Sequence, residues 1–560
     1  MAPPTFMGLS GRSLSLVVSA VATTGFTLFG YDQGVMSGII SAPQFNDMFE
    51  ATRGNSTMQG FVTAIYEVGC LFGAMFILAI GDLLGRRKAM MAGGFIMILG
   101  ITVQITSSFF HSPLAQFIVG RVIMGVGNGI NTATIPTYQA ECSNTTNRGL
   151  LICIEGGVIA FGTVLAYWID YGASFGSSEF SWRFPIGFQI LFALLVCVPS
   201  FFLPESPRWL LTHERYEDAN RVIAALRGFE MDSPETAAER DRIVDSIRAS
   251  GGFGQKSTPM KTLLTNGRTQ HFRRMILGAA SQLMQQVGGC NAVIYFFPVL
   301  CEQSLGQSRN MSLILGGVNM IVYAIFATTS WFVIERVGRR NLFLIGTLGQ
   351  MGSMMITFAC LVNPTVMNAK GAAVGLFLYI AFFGATWLPL PWLYPAELSP
   401  VKTRAKANAV STCTNWLFNF LIVMITPIMI TKIRWGTYLF FAAINACFLP
   451  VIYFFFPETA RRSLEEIDII FAKGNAEGIS YVTAAKELPY LSLEQMAEYA
   501  MRYGLVEDGA DDAELAARPR RRDAGEKAGG ESSGETEMGV EVRESDTSVP
   551  GPPGTMDKAG

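Results

Sequence analysis

The sequence predicts an all-α membrane protein of twelve spans arranged as two six-helix halves, and three observations carry that prediction. The 560 residues are 50% hydrophobic and only 15% charged, and the mean hydropathy of +0.34 is too high for a water-soluble chain of this size. Twelve apolar runs long enough to cross a bilayer follow one another, at 14–40, 58–80, 90–109, 113–138, 150–172, 184–203, 275–301, 312–334, 342–362, 371–395, 406–430 and 435–456. The chain also repeats itself. Gly85-Arg86-Arg87 returns as Gly338-Arg339-Arg340, Tyr138-Gln139-Ala140-Glu141 as Tyr394-Pro395-Ala396-Glu397, and Pro204-Glu205-Ser206 as Pro457-Glu458-Thr459, each pair about 253 to 256 residues apart. A six-helix unit duplicated in parallel accounts for that period and puts a binding site near the midplane, between halves that rock against one another.

In chain order, residues 1–13 form a short polar N-terminus leading into a run too long for a signal peptide and without a cleavage pattern, so it is read as retained. The first run contains Gly30-Tyr31-Asp32-Gln33-Gly34. At 1.5 Å per helical residue it is roughly 40 Å long against a ~30 Å hydrocarbon core, so the helix is expected to tilt or to open at the glycines flanking Asp32. A carboxylate at that depth is expensive and normally faces a bundle interior or a wet cavity. Residues 14–203 make the first half and 275–456 the second. Between them, 204–274 is rich in Arg, Glu and Ala and is expected as short amphipathic helices on a membrane face. From 457 the chain reads as a tail, largely disordered after about 475. Its acidic stretch Glu507–Glu514, basic cluster Arg518–Arg522 and Gly/Ser/Glu/Pro-rich end lack the apolar content to fold alone.

Arg86, Arg87, Lys88, Arg148, Arg339, Arg340, Lys402, Arg404 and Lys406 fall on one side of the bilayer with the middle segment. The positive-inside rule makes that side and both termini cytoplasmic. The glycosylation sequons at Asn55 and Asn310 then face outward, whereas Asn144-Thr145-Thr146 does not, and Asn363-Pro364-Thr365 has the excluded proline. The net charge of −2 averages basic loops with an acidic tail and indicates no nucleic-acid partner. Nine cysteines, without a C-x-x-C pair, read as packing residues of the spans. Gly172-Ala173-Ser174-Phe175-Gly176 matches the nucleophile-elbow pattern but follows a membrane helix rather than a strand. With no Walker loop and no metal-ligand motif either, the chain is expected to be neither an ATP-driven pump nor an enzyme, and to need no cofactor or metal.

Gly81-Asp82-Leu83-Leu84-Gly85-Arg86-Arg87, Gly120-Arg121 with Gly125, Gly127 and Gly129, Pro204-Glu205-Ser206-Pro207-Arg208-Trp209-Leu210, Gln285-Gln286 with Asn291, Glu335-Arg336-Val337-Gly338-Arg339-Arg340, and Pro457-Glu458-Thr459 with Leu464-Glu465-Glu466 resemble the sugar porter family of the major facilitator superfamily. Their order and spacing cover Gly25 to Asp468. Ala166-Tyr167-Trp168-Ile169-Asp170 further resembles the fungal monosaccharide and polyol proton symporters of that family. The resemblance implies the major facilitator fold, no catalysis, and alternating-access import of a neutral hexose or pentose by proton symport. It keeps open a sugar or polyol facilitator, a glycerol or polyol proton symporter, and a membrane nutrient sensor that binds sugar without moving it. The expected setting is a multi-pass protein of the plasma membrane, acting as a monomer.

Charged residues at membrane depth fall in the first half, at Asp32, Glu67, Arg121 and Glu155, while the second-half spans hold no acid. A titratable cluster suits proton coupling, with Arg121 as the expected partner of Asp32. Amides and aromatic faces in the other half suit the hydroxyls and C–H patches of a sugar. In the seventh run Gln282, Gln285, Gln286 and Gly289 share a helical face, but Asn291 lies about 180° from Gln282 at 100° per residue. Gly288-Gly289 offers the break that would swing Asn291 and Tyr295 toward the cavity, as in the family's discontinuous helix. The resemblance adds Trp392, Asn415 and Trp416 as sugar-binding positions. It also shows two departures, Gly156 where many members have a ligand Gln and Tyr323 where they have Asn, with Asn319 one turn away as a substitute. Arg86, Arg87, Glu141 and Arg148 in one half, and Arg339, Arg340, Glu397 and Arg404 in the other, are expected to form a cytoplasmic gate that pairs when the inner face shuts.

Overall fold

The computed structural model describes residues 3–109, 112–143, 148–177, 179–249, 260–363, 365–400 and 403–505. Eleven helices among them are long and apolar enough to cross a membrane, and the helix Arg148–Ala173 fills the place of the fifth span. In order, the first six are Arg12–Ile39, Ser56–Leu84, Arg86–Ile105, Pro113–Cys142, Arg148–Ala173 and Phe180–Ser200. The seventh is broken into His271–Val287 and Cys290–Gln303; Arg309–Val337 and Arg339–Val362 follow. The tenth runs from Val366 through a π-helical turn, Phe383–Trp387, to Leu390–Leu398, and Arg404–Lys432 and Gly436–Phe455 complete the set.

The first helix is unbroken, so of the two expectations, tilting or opening at the glycines beside Asp32, it does not take the opening. Those glycines serve close approach instead. A Cβ at Gly30 would lie 1.9 Å from the carbonyl oxygen of Ile159, and one at Gly38 2.7 Å from Asp170 Oδ2. Spaced at four and eight residues, they form a flat stripe on which the fifth span lies backbone to side chain. The seventh helix does break where expected. It ends at Val287, and Gly289 takes φ +102°, a left-handed conformation that a residue with a Cβ rarely adopts.

The middle segment folds as the short helices Pro207–Thr212, Tyr216–Arg227 and Pro234–Ala249. They are tied to the start of the first span by Gly11 N–H to Ala225 O (2.6 Å) and Ser15 Oγ to Leu226 O (3.1 Å). The tail departs from expectation, because helices Leu464–Glu477, Tyr481–Glu487 and Leu493–Arg502 continue well past 475. Two of them start with complete capping boxes, Ser463 with Glu466 and Ser492 with Gln495. They dock on the start of the seventh span: Asp468 pairs with the buried Arg274 at 2.6 Å, Asn475 accepts from Gln270 at 2.9 Å, and Tyr481 accepts from Arg273 at 2.7 Å. The acidic and basic stretches after 505 lie outside the described residues.

Candidate functional site

Three helices of the first half meet at a buried cluster of charge. Asp32, Glu67 and Arg121 are each 0% exposed. The Tyr66 hydroxyl donates to Asp32 Oδ2 at 3.1 Å and accepts from Asn128 Nδ2. Arg121 lies over the same tyrosine, its guanidinium carbon 4.8 Å from the ring centroid, and donates to Thr63 O at 2.9 Å. The direct Asp32–Arg121 pair expected from the sequence is therefore corrected. Tyr66 comes between them, satisfying the acid with its hydroxyl and the cation with its ring face. Each charged member keeps one atom without a partner among the described residues, Asp32 Oδ1, Glu67 Oε2 and Arg121 Nε.

Glu67 reaches across to the other half, where Tyr295 donates to its Oε1 at 2.6 Å. Asn419, near the same carboxylate, accepts from Asn291 at 2.6 Å. Asn291 in turn donates to Gln286 at 2.5 Å, Gln286 to Gln285 at 3.3 Å, and Asn415 to Gln285 at 3.1 Å and Gln282 at 2.6 Å. A chain of amides thus runs through the second half from Asn419, beside the acid cluster, to Gln282. The helix break makes it: Gly289 turns the chain so that Asn291 faces the side on which Gln285 and Gln286 lie.

The amides line a tight cavity of ≈ 30 Å³, room for about one or two water molecules, so a sugar-sized ligand needs its walls to part. Gln285, Gln286, Asn291, Asn415 and Trp392 contribute from the second half, and Phe29 and Gln33 from the first. Four expected site residues lie elsewhere. Tyr295 is spent on Glu67. Trp416 packs behind the cavity, edge-on to Phe29 at 5.7 Å. Asn319 is buried away from the cavity with both amide atoms unpartnered among the described residues, and Tyr323 takes the lining position instead. Glu155 stays apart from the acid cluster, on a stretch of the fifth span whose Gly156 and Gly157 lie against Leu388 and Trp331. Sequence reasoning missed Tyr66, Gln33 and Asn419. Gln33 sits beside Asp32, and Asn419 follows Asn415 by one helical turn, so adjacency and i,i+4 spacing were the available signals.

On the face that carries the N-terminus the repeat becomes two matching clasps. Arg86 bonds Glu141 through Nε at 3.1 Å, Ser206 Oγ donates to Glu141 at 2.5 Å, and the backbone N–H groups of Arg86 and Arg87 donate to Glu205. In the second half Arg339 Nη2 bonds Glu397 at 2.7 Å, Thr459 Oγ1 donates to Glu397 at 2.6 Å, and the N–H groups of Arg339 and Arg340 donate to Glu458. Glu205 and Glu458 each take a helix N-terminus, where orphan donors and the helix dipole favour a carboxylate. Arg87 and Arg340 reach the carbonyls of Phe201 and Tyr453 at 2.7 and 2.8 Å. The bonds of each clasp join elements of the same half, as the grouping of the charges by half in the sequence anticipates. Arg404 folds back on Ser399 O, and the Arg148 side chain lies outside the described residues, as does the Asn144 sequon. Asn55 and Asn310 are exposed, the former capping the second span by accepting from Met58 N at 3.2 Å.

A family model described as "Sugar (and other) transporter" matches residues 17–471. The chain is 45% identical to the sugar transporter STL1 of Saccharomyces cerevisiae over 90% of its own length and 89% of that protein. It is 43% identical to the major facilitator superfamily transporter mfsA of Aspergillus fumigatus, over 90% and 94%. Among solved structures, the xylose transporter XylE of E. coli in a partially occluded inward-open conformation superposes with a TM-score of 0.68 at 21% identity, covering 81% of this chain and 100% of that one. Fold, repeat and matches agree: the chain belongs to the sugar porter family of the major facilitator superfamily.

Proposed function

We propose that this sugar transporter imports a small neutral monosaccharide by proton symport, with the face bearing the basic clasps and the termini in the cytoplasm and the protein in the plasma membrane. The observation that carries the reading is the charge count beside the cavity. Two carboxylates, Asp32 and Glu67, share one guanidinium, Arg121, all fully buried. With both acids ionised the cluster holds one uncompensated negative charge, which a low-dielectric site disfavours, and one proton cancels it. Asp32 is the carrier of that proton. Arg121 is held against Tyr66 and backbone, while Glu67 holds Tyr295 of the broken seventh helix.

The second half supplies substrate recognition. Gln285, Gln286, Asn291 and Asn415 offer donors and acceptors to hydroxyl groups, and Trp392 offers a ring face. Because Tyr295, which holds Glu67, and Asn291, which belongs to the amide set, lie on the same half-helix Cys290–Gln303, the charge state of the cluster is felt where the ligand binds and where that half-helix closes. That shared element couples proton and sugar. The galactose transporter of S. cerevisiae, 30% identical over 82% of this chain, supports the sugar class. Tyr323, in the cavity wall where the family resemblance implies an amide, favours a second reading in which the ligand is a smaller polyol.

The test is proton movement in liposomes containing the purified full chain and an internal pH dye. Adding one sugar or polyol at a time to lightly buffered vesicles should acidify the lumen only for transported compounds, with the potential clamped by potassium and valinomycin. Counterflow of labelled substrate without any acidification would establish uniport. Binding without counterflow would establish a sensor.

A further inference from the structure

We propose that Arg309 is a positioning residue that latches the mouth opposite the cytoplasmic clasps. The latch rests on the orientation and alternating access proposed above. Arg309 opens the eighth span, and its guanidinium crosses to the other half. Nη1 donates to Ser41 Oγ at 2.8 Å and Nη2 to Gly38 O at 2.8 Å. Glu302, at the end of the broken seventh helix, stands 3.7 Å from Nη1. Beneath this contact Asp170, 4% exposed, accepts the Gly38 N–H at 3.1 Å through Oδ2 and leaves Oδ1 without a partner among the described residues.

Three features make this a latch rather than incidental surface pairing. Gly38 O belongs to the last turn of the first helix, whose carbonyls have no intrahelical donor, so a cation there meets both an open acceptor and the negative end of the helix dipole. The absence of a side chain at Gly38 lets Asp170 come within reach, since a Cβ there would lie 2.7 Å from Oδ2. One guanidinium thereby joins the first span to the seventh and eighth, with a buried carboxylate drawing positive charge inward. The Arg309 and Glu302 side chains remain 27% and 25% exposed, so water can replace the lost bonds and the contact is reversible. Opening the outer mouth moves the seventh and eighth spans off the first, and Arg309 must release Ser41 and Gly38 for that to happen.

Cys290 lines the cavity beneath this mouth and reports on it. The full chain is reconstituted, and labelling of Cys290 by a small membrane-impermeant methanethiosulfonate is followed by peptide mass from each face separately, with Cys290→Ser as the control for site assignment. Arg309→Gln should raise the rate from the outer face about tenfold or more and lower the rate from the clasp face. Arg309→Lys, which keeps the charge but not two divergent donors, should fall between. A parental outer rate in Arg309→Gln overturns the latch, and so does a rise from both faces, which means general loosening. If Arg309→Gln does not fold, Ser41→Ala decides by the same two-sided measurement. Faster labelling of the parent from the outer face in every condition, with transport intact, removes the outer seal and with it the proposal. Absence of transport by the parent strikes the functional reading instead.

Discussion

The charge count at the acid cluster sets how far the protein can concentrate its substrate. One excess negative charge means one proton per turnover. A proton entering down about 100 mV contributes ~2.3 kcal/mol, and one unit of pH gradient adds about 1.4. The sum of about 3.7 kcal/mol supports a roughly 500-fold gradient of a neutral sugar, at ~1.4 kcal/mol per tenfold. Two coupled protons would square that ratio, and none would hold it at one. The assay is a zero-flux titration in vesicles: potential and pH gradient are clamped, the internal substrate is varied, and the concentration ratio at which net flux vanishes is read directly. Asp32→Asn leaves Glu67 and Arg121 as a balanced pair, so the variant has no charge for a proton to cancel. Its zero-flux ratio should fall to one while exchange of labelled for unlabelled substrate persists, since Asn keeps an acceptor for the Tyr66 hydroxyl. A parental ratio of one, a ratio near the square of the expected value, or accumulation by Asp32→Asn at the parental level would refute the reasoning.

Gln286→Ala removes the acceptor of Asn291 and a cavity-lining amide, and at about 0.5–1.5 kcal/mol per neutral hydrogen bond should raise the half-saturation concentration about two- to tenfold at unchanged surface expression. Glu397→Gln takes the counter-charge from Arg339, leaving it Glu335 alone at 2.8 Å; net uptake should slow, Cys290 should label faster from the clasp face, and a parental rate there would remove Glu397 from the gate. Asp468→Asn breaks the 2.6 Å pair with Arg274 and should speed proteolysis between the helix Leu464–Glu477 and Arg502 severalfold while leaving the transmembrane core intact on a gel.

Much of this architecture could be read from the residues because each signal had a single physical cause. The break at Gly288-Gly289 follows from Asn291 standing on the wrong face of a straight helix, and the helix breaks there. The repeat was visible because helix-capping carboxylates need their arginine-bearing partners at fixed places, and the two clasps make corresponding bonds. The misreadings arose where one residue type answers two needs. A glycine in a long helix can open it or flatten it, and only the proximity of Ile159 to Gly30 decides for flattening. An Asp–Arg pairing is inferred from charge alone, yet a tyrosine adjacent to Glu67 intervenes, a placement set by helix rotation and not by composition. Asp170 enters the sequence reading only within the phrase 166–170 and without a role, because it falls near a span end, where acids are commonplace, and its burial depends on Gly38, 132 residues away. The tail's helices were missed because their apolar residues are spread over three short helices and find cover on one another, Ile469 and Ile470 against Ala484, Ala485 and Leu488.

That each clasp is closed within its own half has a consequence for how the chain is assembled. The bonds of Glu141 and Glu205 involve no residue beyond 206, and those of Glu397 and Glu458 none before 335. The middle helices belong with the first half, through Gly11 and Ser15. Each half therefore carries its own staples, so the shape of its inner face is written in its own residues, and two separately made halves would still present matched clasps to one another.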